Sequence, residues 1–272
     1  RLVFVAADGD LVVASPERGN RLAIDAPPDV RPAALGDGRV AVYGARTTRY
    51  GHGALGDGVE PSSLVIVDPR DPAITATATL EAPDVFEGIQ PVVADLDGDG
   101  EPEIVTTVAN ASDGARIVVF SPAGERLATG PVYGPGWRHQ LVVGPIGPGG
   151  TRELAVVLKP HVTHRLEFYR FDGRELTVTT TLDGFSTHTY GSRVIGGAVA
   201  ADLDDDGRSE VLVPTTDRRT LAAVRRQSGG ATVAWRWALD GQLASNVTGV
   251  ATAGGGLAVG AATADELLVW QA

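Results

Sequence analysis

Two short segments of the chain place carboxylate side chains at alternating positions, as a tight loop does when it surrounds a cation. Both read Asp-x-Asp-x-Asp-Gly-x-x-Glu, the first over residues 95–103 and the second over residues 202–210. Calcium takes six to eight oxygen ligands, and carboxylates this close together repel one another unless a cation lies between them. We therefore expect two structural calcium ions, one held by Asp95, Asp97, Asp99, the Glu101 carbonyl and Glu103, and one held by Asp202, Asp204, Asp206, the Arg208 carbonyl and Glu210.

A glycine follows the third aspartate of each loop, at Gly100 and Gly207. The chain must turn sharply there, and we expect a positive φ, which glycine adopts without steric cost. The loops differ from an EF-hand, because short strands rather than helices flank them and the glutamate at the twelfth position is missing. The acidic loops therefore belong to a β framework.

The two acidic loops occupy the same place in an internal repeat of strand, loop and strand. Residues 92–105 and 199–212 share this frame at an offset of 107 residues, and a weaker copy lies between them at 142–155. Abbreviated copies are found at 33–42 and 250–259. A repeat of this length is the signature of an architecture built from similar supersecondary units.

The middle copy of the repeat acts as an internal control for the metal prediction. It has Pro145, Gly147 and Gly149 at the positions of the three aspartates. Glu153 nevertheless falls where the other two copies carry their final glutamate. Because the aspartate ligands are missing, we expect no metal in this loop.

The elements around these loops are predicted to be short strands. Runs rich in Val, Leu, Ile and Thr alternate with Gly, Pro, Asp and Asn, and no long segment has the helical spacing of apolar residues. Two further runs follow each copy of the repeat, such as Ile117–Phe120 and Glu125–Thr129. Each unit then forms a four-stranded antiparallel sheet, which is typical of a β-propeller blade.

We therefore expect an all-β fold with one β-propeller domain over residues 1–272 and about 22 strands. Six blades are favoured over five or seven, and an excerpt of a larger propeller is the alternative. The blade-like units are predicted at residues 1–29, 30–87, 88–136, 137–188, 189–243 and 244–272.

The acidic loops between short strands resemble the calcium loops of FG-GAP/VCBS-type β-propellers, which include integrin-α-like proteins. The resemblance covers most of the chain as a repeat frame and is strongest at 92–105 and 199–212. The FG-GAP signature itself survives in fragments such as Gly196-Gly197-Ala198, and the ninth loop position is Glu where the family usually has Asp. The resemblance implies calcium binding and a role in adhesion or recognition, outside the cell or at its surface, with the periplasm as the alternative.

Each predicted unit has four strands, named a to d in chain order. All five histidines fall in predicted loops that join strand b to strand c, or strand d to the next unit. The acidic loops join strand a to strand b, and the two sets of loops lie on opposite faces of a propeller. We therefore expect a face where aromatic rings stack on sugar rings and arginine pairs with carboxylate or sulfate, although ordinary solvated loops are the alternative. The predicted ligand-binding residues are Tyr50, His52, Trp137, Arg138, His139, Lys159, His161, His164, His188, Tyr190 and Arg193.

The sequence favours recognition of a glycan or protein partner as the function. The first alternative is a polysaccharide lyase, in which His139, His188, Tyr190 and Arg193 would abstract a proton beside a uronate carboxylate and drive β-elimination. The second alternative is a structural part of a larger surface protein or fibre. An enzyme is the less favoured interpretation, because no nucleophile elbow or phosphate-binding loop is present.

The composition argues against several classes of partner. Acidic residues outnumber basic ones by 34 to 23 and give a formal charge of −11, so we expect no nucleic acid partner. No apolar run approaches the roughly 20 residues needed to span a bilayer, so we expect no direct membrane insertion. The chain has no cysteine, which excludes disulfides and thiolate chemistry. It also lacks methionine even at position 1, which favours a removed leader or an excerpt of a longer protein.

Overall fold

The computed structural model describes residues 1–253 and 255–271, which form an all-β structure of 23 strands. Within those residues there is no α-helix, and the only helical turn is a 3-10 turn at Pro148–Gly150. No helix among the described residues has the length and apolar character of a membrane span. The prediction of an all-β fold is confirmed, and the number of strands is close to the expected one.

The strands form six antiparallel sheets, and the chain divides into two compact units. The first unit comprises Arg1–Trp137 and Asp172–Leu176, and the second comprises Arg138–Phe171 and Thr177–Ala272. The first acidic loop therefore belongs to the first unit, whereas the middle loop and the second acidic loop belong to the second unit.

The first unit contains three sheets, in the orders β1-β2-β3, β4-β5-β6-β7 and β12-β11-β10-β8, and β9 also pairs with β10. Their strands are β1 (Leu2–Val5), β2 (Asp10–Ala14), β3 (Gly19–Ala23), β4 (Ala33–Ala34), β5 (Val40–Thr47), β6 (Glu60–Asp68), β7 (Ala73–Thr79), β8 (Val85–Phe86), β9 (Val92–Ala94), β10 (Glu103–Asn110), β11 (Gly114–Phe120) and β12 (Arg126–Thr129). Strand β8 lies in the predicted 30–87 segment but pairs with β10, because Val85 and Phe86 are buried against Ala109 and Val108.

The second unit carries sheets in the orders β13-β14-β15-β16, β17-β18-β19-β20 and β21-β22-β23. Their strands are β13 (Arg138–Gly144), β14 (Glu153–Leu158), β15 (Arg165–Phe171), β16 (Leu176–Asp183), β17 (Val199–Ala201), β18 (Glu210–Pro214), β19 (Thr220–Gln227), β20 (Gly230–Ala238), β21 (Thr248–Ala251), β22 (Leu257–Ala262) and β23 (Leu267–Gln271).

The sequence patterns of inner and outer strands explain their burial. Inner strands such as β10 and β14 are buried along their whole length, and their sequences are nearly continuous apolar runs that begin with a glutamate. Outer strands such as β16 and β20 alternate between covered and exposed residues with a period of two. The buried glutamate at the start of β10 and of β14 is therefore the exception that needs a partner.

Aromatic side chains join neighbouring sheets within each unit. In the first unit, Tyr43 of β5 stacks on Phe86 of β8 with ring centroids 5.1 Å apart. In the second unit, Trp237 of β20 stacks on Trp270 of β23 at 4.6 Å, and Trp235 lies beside Trp237. Alternate positions on a strand point to one face, so Trp235 and Trp237 lie on the same side of β20. These stacked rings thus connect adjacent sheets within each unit.

Candidate functional site

The first acidic loop connects β9 to β10, which pair antiparallel with Ala94 opposite Glu103. Each of Asp95, Asp97 and Asp99 offers a carboxylate oxygen, and these oxygens lie within 4.8 Å of one another. The side chains also shape the loop, since Asp95 accepts the Gly98 N–H at 2.6 Å. The loop thus gathers three of the predicted ligands at one point.

Glycines with left-handed backbone allow this arrangement. Gly100 has a φ of 94° and Gly207 has a φ of 82°, so the predicted positive φ is confirmed in both acidic loops. The conformation favours glycine because a Cβ atom is strained there. The position after the third aspartate is therefore fixed by the turn and not by the ligand chemistry.

Glu103 lies beneath the first loop and is only 5% exposed. Its carboxylate accepts the Leu96 N–H at 2.7 Å. Burial, and then the negative charges of Asp97, Asp99 and Asp95, raise the pKa of Glu103 to about 7, against the effect of that hydrogen bond. The crowded aspartates of this loop therefore favour the protonated form of Glu103.

The second acidic loop connects β17 to β18 and repeats this geometry, with Ala201 opposite Glu210. The oxygens of Asp202, Asp204 and Asp206 again lie within 4.8 Å of one another. Glu210 is fully buried and accepts the Leu203 N–H at 3.1 Å. The assignments of the Glu101 and Arg208 carbonyls as ligands stay predictions.

Arg225 distinguishes the second loop from the first. Its Nε donates to Glu210 at 2.7 Å, its Nη2 pairs with Asp204 at 2.9 Å and its Nη1 pairs with Asp206 at 3.0 Å. Sequence reasoning missed this residue, although it lies directly across from Glu210 in the β18–β19 pairing. The three aspartates of each loop could hold a metal ion, and in the second loop Arg225 already lies among these carboxylate oxygens.

The middle loop is built differently, although Glu153 begins its second strand as expected. Glu153 is fully buried, and Arg226 holds it through contacts of 2.8 Å and 3.2 Å. A side chain at Gly147 would meet the Thr151 hydroxyl at 2.3 Å and the Glu153 carboxyl carbon at 3.0 Å. The space that an aspartate would need is therefore filled by the chain itself.

Three of the histidines predicted to bind a ligand lie together in the second unit. His161 Nε2 and His188 Nδ1 are 2.9 Å apart, and His188 Nε2 contacts the Ser192 carbonyl at 2.8 Å. His139 lies edge-on to His188, with its Nδ1 2.8 Å from the Thr187 hydroxyl and its Nε2 2.8 Å from the Ile195 carbonyl. The cluster is a hydrogen-bonded network and not a set of independent side chains.

The hydrogen bonds assign the protons of this network. A carbonyl only accepts, so Nε2 carries the proton in both His139 and His188, and Nδ1 accepts in both. Burial, assisted by His188 and His161, lowers the pKa of His139 to about 3. Burial also lowers the pKa of His188, and the Ser192 carbonyl opposes this shift. Both rings are therefore neutral at pH 7.

The other predicted ligand-binding residues of the second unit differ in how exposed their side chains are. Tyr190 is 63% exposed and lies edge-on to His161 with centroids 5.5 Å apart, and Arg193 is also exposed. Lys159 and His164 are half-buried in the turn after β14, where the Lys159 carbonyl accepts the His164 N–H.

Arg138 does not reach a surface, so it is a poor ligand-binding residue in this structure. It is fully buried, and its Nε donates to the Tyr169 hydroxyl at 3.2 Å. Tyr169 in turn donates to Glu167 at 2.6 Å. The fully buried environment and these contacts give Arg138 a structural role. Sequence reasoning placed it in a loop, whereas it begins β13.

Tyr50, His52 and Trp137 belong to the first unit and gather around a different centre. His52 Nδ1 bonds the Glu87 carboxylate, Tyr50 packs on His52, and the Trp137 indole N–H donates to the Glu87 carbonyl at 3.2 Å. Tyr50 and Trp137 are buried, at 7% and 2% exposed. The three side chains therefore surround Glu87, a residue that the sequence analysis did not single out.

Comparison with known proteins adds no functional information. No protein-family model matches the chain, and no curated protein matches it significantly. The resemblance to FG-GAP/VCBS propellers therefore depends on the acidic-loop frame itself. The geometry of the two loops and of the histidine cluster is what a functional proposal has to use.

Proposed function

We propose that the chain is a calcium-stabilised β-propeller of the FG-GAP/VCBS type that recognises a glycan outside the cell. The observation that carries the calcium part is the first acidic loop, where three carboxylate oxygens lie within 4.8 Å of one another. Six antiparallel sheets suit a propeller of about six blades. The arrangement of the blades around a single axis is part of the proposal.

Calcium has a structural role in this proposal. Asp95, Asp97, Asp99 and Glu103 would hold one ion, and the corresponding residues of the second loop would hold another. The ion supplies positive charge where carboxylates crowd, and it couples the acidic turn to the two strands that it joins. No group in these loops is placed to act on a substrate.

Tyr190 is the residue that best supports glycan recognition. Its ring is exposed, while His161 and His188 behind it are tied into hydrogen bonds that hold them in place. A rigid, exposed aromatic ring next to polar groups suits stacking on the apolar face of a sugar. The exposed Arg193 lies near it in sequence and favours an acidic sugar.

The same geometry gives less support to a polysaccharide lyase. A general base needs a nitrogen within reach of the substrate. Both ring nitrogens of His139 and both of His188 are engaged with protein groups, and His139 is 2% exposed. Recognition is therefore the better proposal for this cluster.

Retention on immobilised polysaccharides tests the proposal. We expect the folded chain to be retained on at least one acidic polysaccharide, and we expect Tyr190→Ala to reduce the retained fraction at least tenfold. Tyr133→Ala is the matched control, because Tyr133 is also exposed, at 49%, but lies in the first unit. Retention lost equally in both variants would contradict the assignment to Tyr190.

Other outcomes of the same experiment separate the alternatives. New ultraviolet absorbance from unsaturated uronate ends would establish a lyase in place of a binding protein. No retention on any polysaccharide would overturn glycan recognition and favour a protein partner or a structural part of a larger assembly.

A further inference from the structure

A small cavity lies beside the histidine cluster of the second unit. Its volume is about 40 Å³, and its lining includes His188, Ser192, Arg218 and the exposed Thr189, which precedes Tyr190 in the chain. Burial and, to a smaller extent, the positive charge of Arg218 lower the pKa of His188, so the guanidinium lies close to that ring. The cavity therefore borders the segment that carries Tyr190.

Arg218 is the charged residue that lines this cavity. Its Nη1 donates to the Thr189 hydroxyl, and no carboxylate of the described residues lies within ion-pair distance of the guanidinium. Other arginines of the second unit do pair with a carboxylate, namely Arg165, Arg170, Arg225 and Arg226. The positive charge of Arg218 is therefore left for a group outside the described chain.

One edge of the Arg218 guanidinium has no acceptor. Nε is buried, and neither Nε nor Nη2 donates to a group of the described residues. A buried charged donor without an acceptor is costly. Because Nε and Nη2 lie on the same edge of a planar group, they match the two oxygens of a carboxylate in a bidentate pair.

The backbone holds Arg218 in a conformation that side-chain-bearing residues rarely adopt. It lies in the turn between β18 and β19 with a φ of 54°. Its N–H donates to the Thr215 carbonyl at 2.8 Å, and its carbonyl accepts the Leu243 N–H at 2.8 Å. Glycine would adopt this φ with less strain, and strain of this kind clusters at ligand sites. The turn alone does not explain an arginine here.

We infer that Arg218 binds the carboxylate of a uronate sugar whose ring stacks on Tyr190. The inference rests on the proposed glycan recognition and names the acidic group that is recognised. A cavity of about 40 Å³ holds roughly three water-sized groups, which suits a carboxylate and excludes a sugar ring. The ring then stays at the surface, where Tyr190 is exposed, while the carboxylate enters the cavity.

Retention of the full-length chain on immobilised polygalacturonate, alginate and hyaluronan, with neutral dextran for comparison, tests the inference. We expect Arg218→Gln to reduce the retained fraction on a uronate polysaccharide at least tenfold, because it removes a charge-assisted bidentate pair. Arg218→Lys should restore little of it, since an ammonium lacks the planar pair of donors.

Arg219→Gln is the matched control. Arg219 is exposed and adjacent in the chain but does not line the cavity, so its substitution removes the same charge and should change retention less than twofold. Equal losses in Arg218→Gln and Arg219→Gln would show a general attraction of charge and overturn the role given to Arg218.

NMR of the arginine Nε–H groups gives a second measurement, at the atom concerned. The Arg218 resonance is assigned by its loss in Arg218→Lys. Sodium galacturonate or glucuronate should shift this resonance in wild type, and galactose should not. An unchanged resonance with both uronates would overturn the inference. A shift with sodium sulfate and none with the uronates would replace the uronate by a sulfated sugar.

The outcomes distinguish this inference from the glycan proposal. If Tyr190→Ala abolishes retention and Arg218→Gln leaves it unchanged, glycan recognition stands and the inference fails. If no polysaccharide is retained but a uronate shifts the Arg218 resonance, the glycan proposal fails and the carboxylate site stands. If neither is seen, both fail. The wild-type titration does not depend on whether Arg218→Gln folds.

Discussion

Glu60 should give the folded protein a stability that falls as the pH rises. Glu60 begins β6 and is 4% exposed. Burial raises its pKa from 4.5 to about 9, with further contributions from Glu87, Asp57 and Asp29, while the Gly88 N–H opposes the shift. No arginine or lysine is among the groups that act on it. Glu60 is therefore protonated in the folded protein at pH 7.

The size of the effect follows from proton linkage. The folded pKa lies above the unfolded one, so the stabilisation is complete below about pH 4.5 and is lost as the pH rises towards 9. Between these limits the folded state holds one more proton, and the free energy of unfolding falls by at most about 1.4 kcal/mol per pH unit. From pH 5 to pH 8 this amounts to roughly 4 kcal/mol as an upper bound.

Glu60→Gln removes the titrating group and keeps its shape. The amide can donate towards the neighbouring carboxylates, so we expect the variant to gain stability relative to wild type as the pH rises. Urea unfolding, followed by tryptophan fluorescence at pH 5, 6, 7 and 8, gives the difference at each pH. Glu81→Gln is the control, because Glu81 is exposed in the same unit and should leave the slope unchanged.

His52 and Glu87 titrate in both wild type and variant, so the difference between the two curves reports Glu60 together with its coupling to Glu87. His52 and Glu87 contribute slopes of the same sign, because both have a raised pKa in the folded state. Parallel curves for wild type and Glu60→Gln between pH 5 and pH 8 would refute the reasoning and place an ionised Glu60 in the folded protein.

Two further predictions concern calcium and the backbone. Saturating calcium should raise the melting temperature by about 5 °C or more. Asp97→Asn should remove most of this gain. Glu101→Gln keeps the backbone carbonyl that is the predicted ligand, so it should leave the gain unchanged. Gly114→Ala should cost about 3 kcal/mol in urea unfolding, because its Cβ would lie 1.9 Å from the Gly134 carbonyl oxygen. Gly36→Ala, with a similar φ of 79° and no described atom within 4 Å, should cost about 1 kcal/mol, and equal losses would contradict the role of the close approach.

The strands were predictable because their signals are local. Alternation in β20 and the continuous apolar run of β14 are read directly from adjacent residues. The pairing of β8 with β10 was not predicted, because a strand of two residues is too short to show a pattern of its own. The positive φ at Gly100 was predictable for the same local reason, since a turn of given length requires it.

The candidate site was only partly predictable from sequence. The aspartates of each acidic loop converge because neighbouring loop residues must lie close together. Arg225 lies 15 residues beyond Glu210 and reaches it only through the strand register, which the sequence leaves open. The burial of His139 and Arg138 likewise depends on packing, and so residues expected on a binding face proved to be internal. Pairing across strands is the information that the sequence lacks.

The structure stabilises crowded carboxylates in different ways, and each way responds to a different perturbation. Glu153 has an arginine, which pH and chelators leave unchanged. Glu60 has a proton, which is lost at alkaline pH. In our proposal the two acidic loops take a calcium ion from the solvent.

This difference explains why similar motifs need not have similar functions in one chain. A carboxylate paired with an arginine keeps that partner whatever the calcium concentration, whereas a loop that takes an external ion makes stability depend on that concentration. In our proposal both acidic loops take such an ion, so calcium in the surroundings of the protein would stabilise its fold.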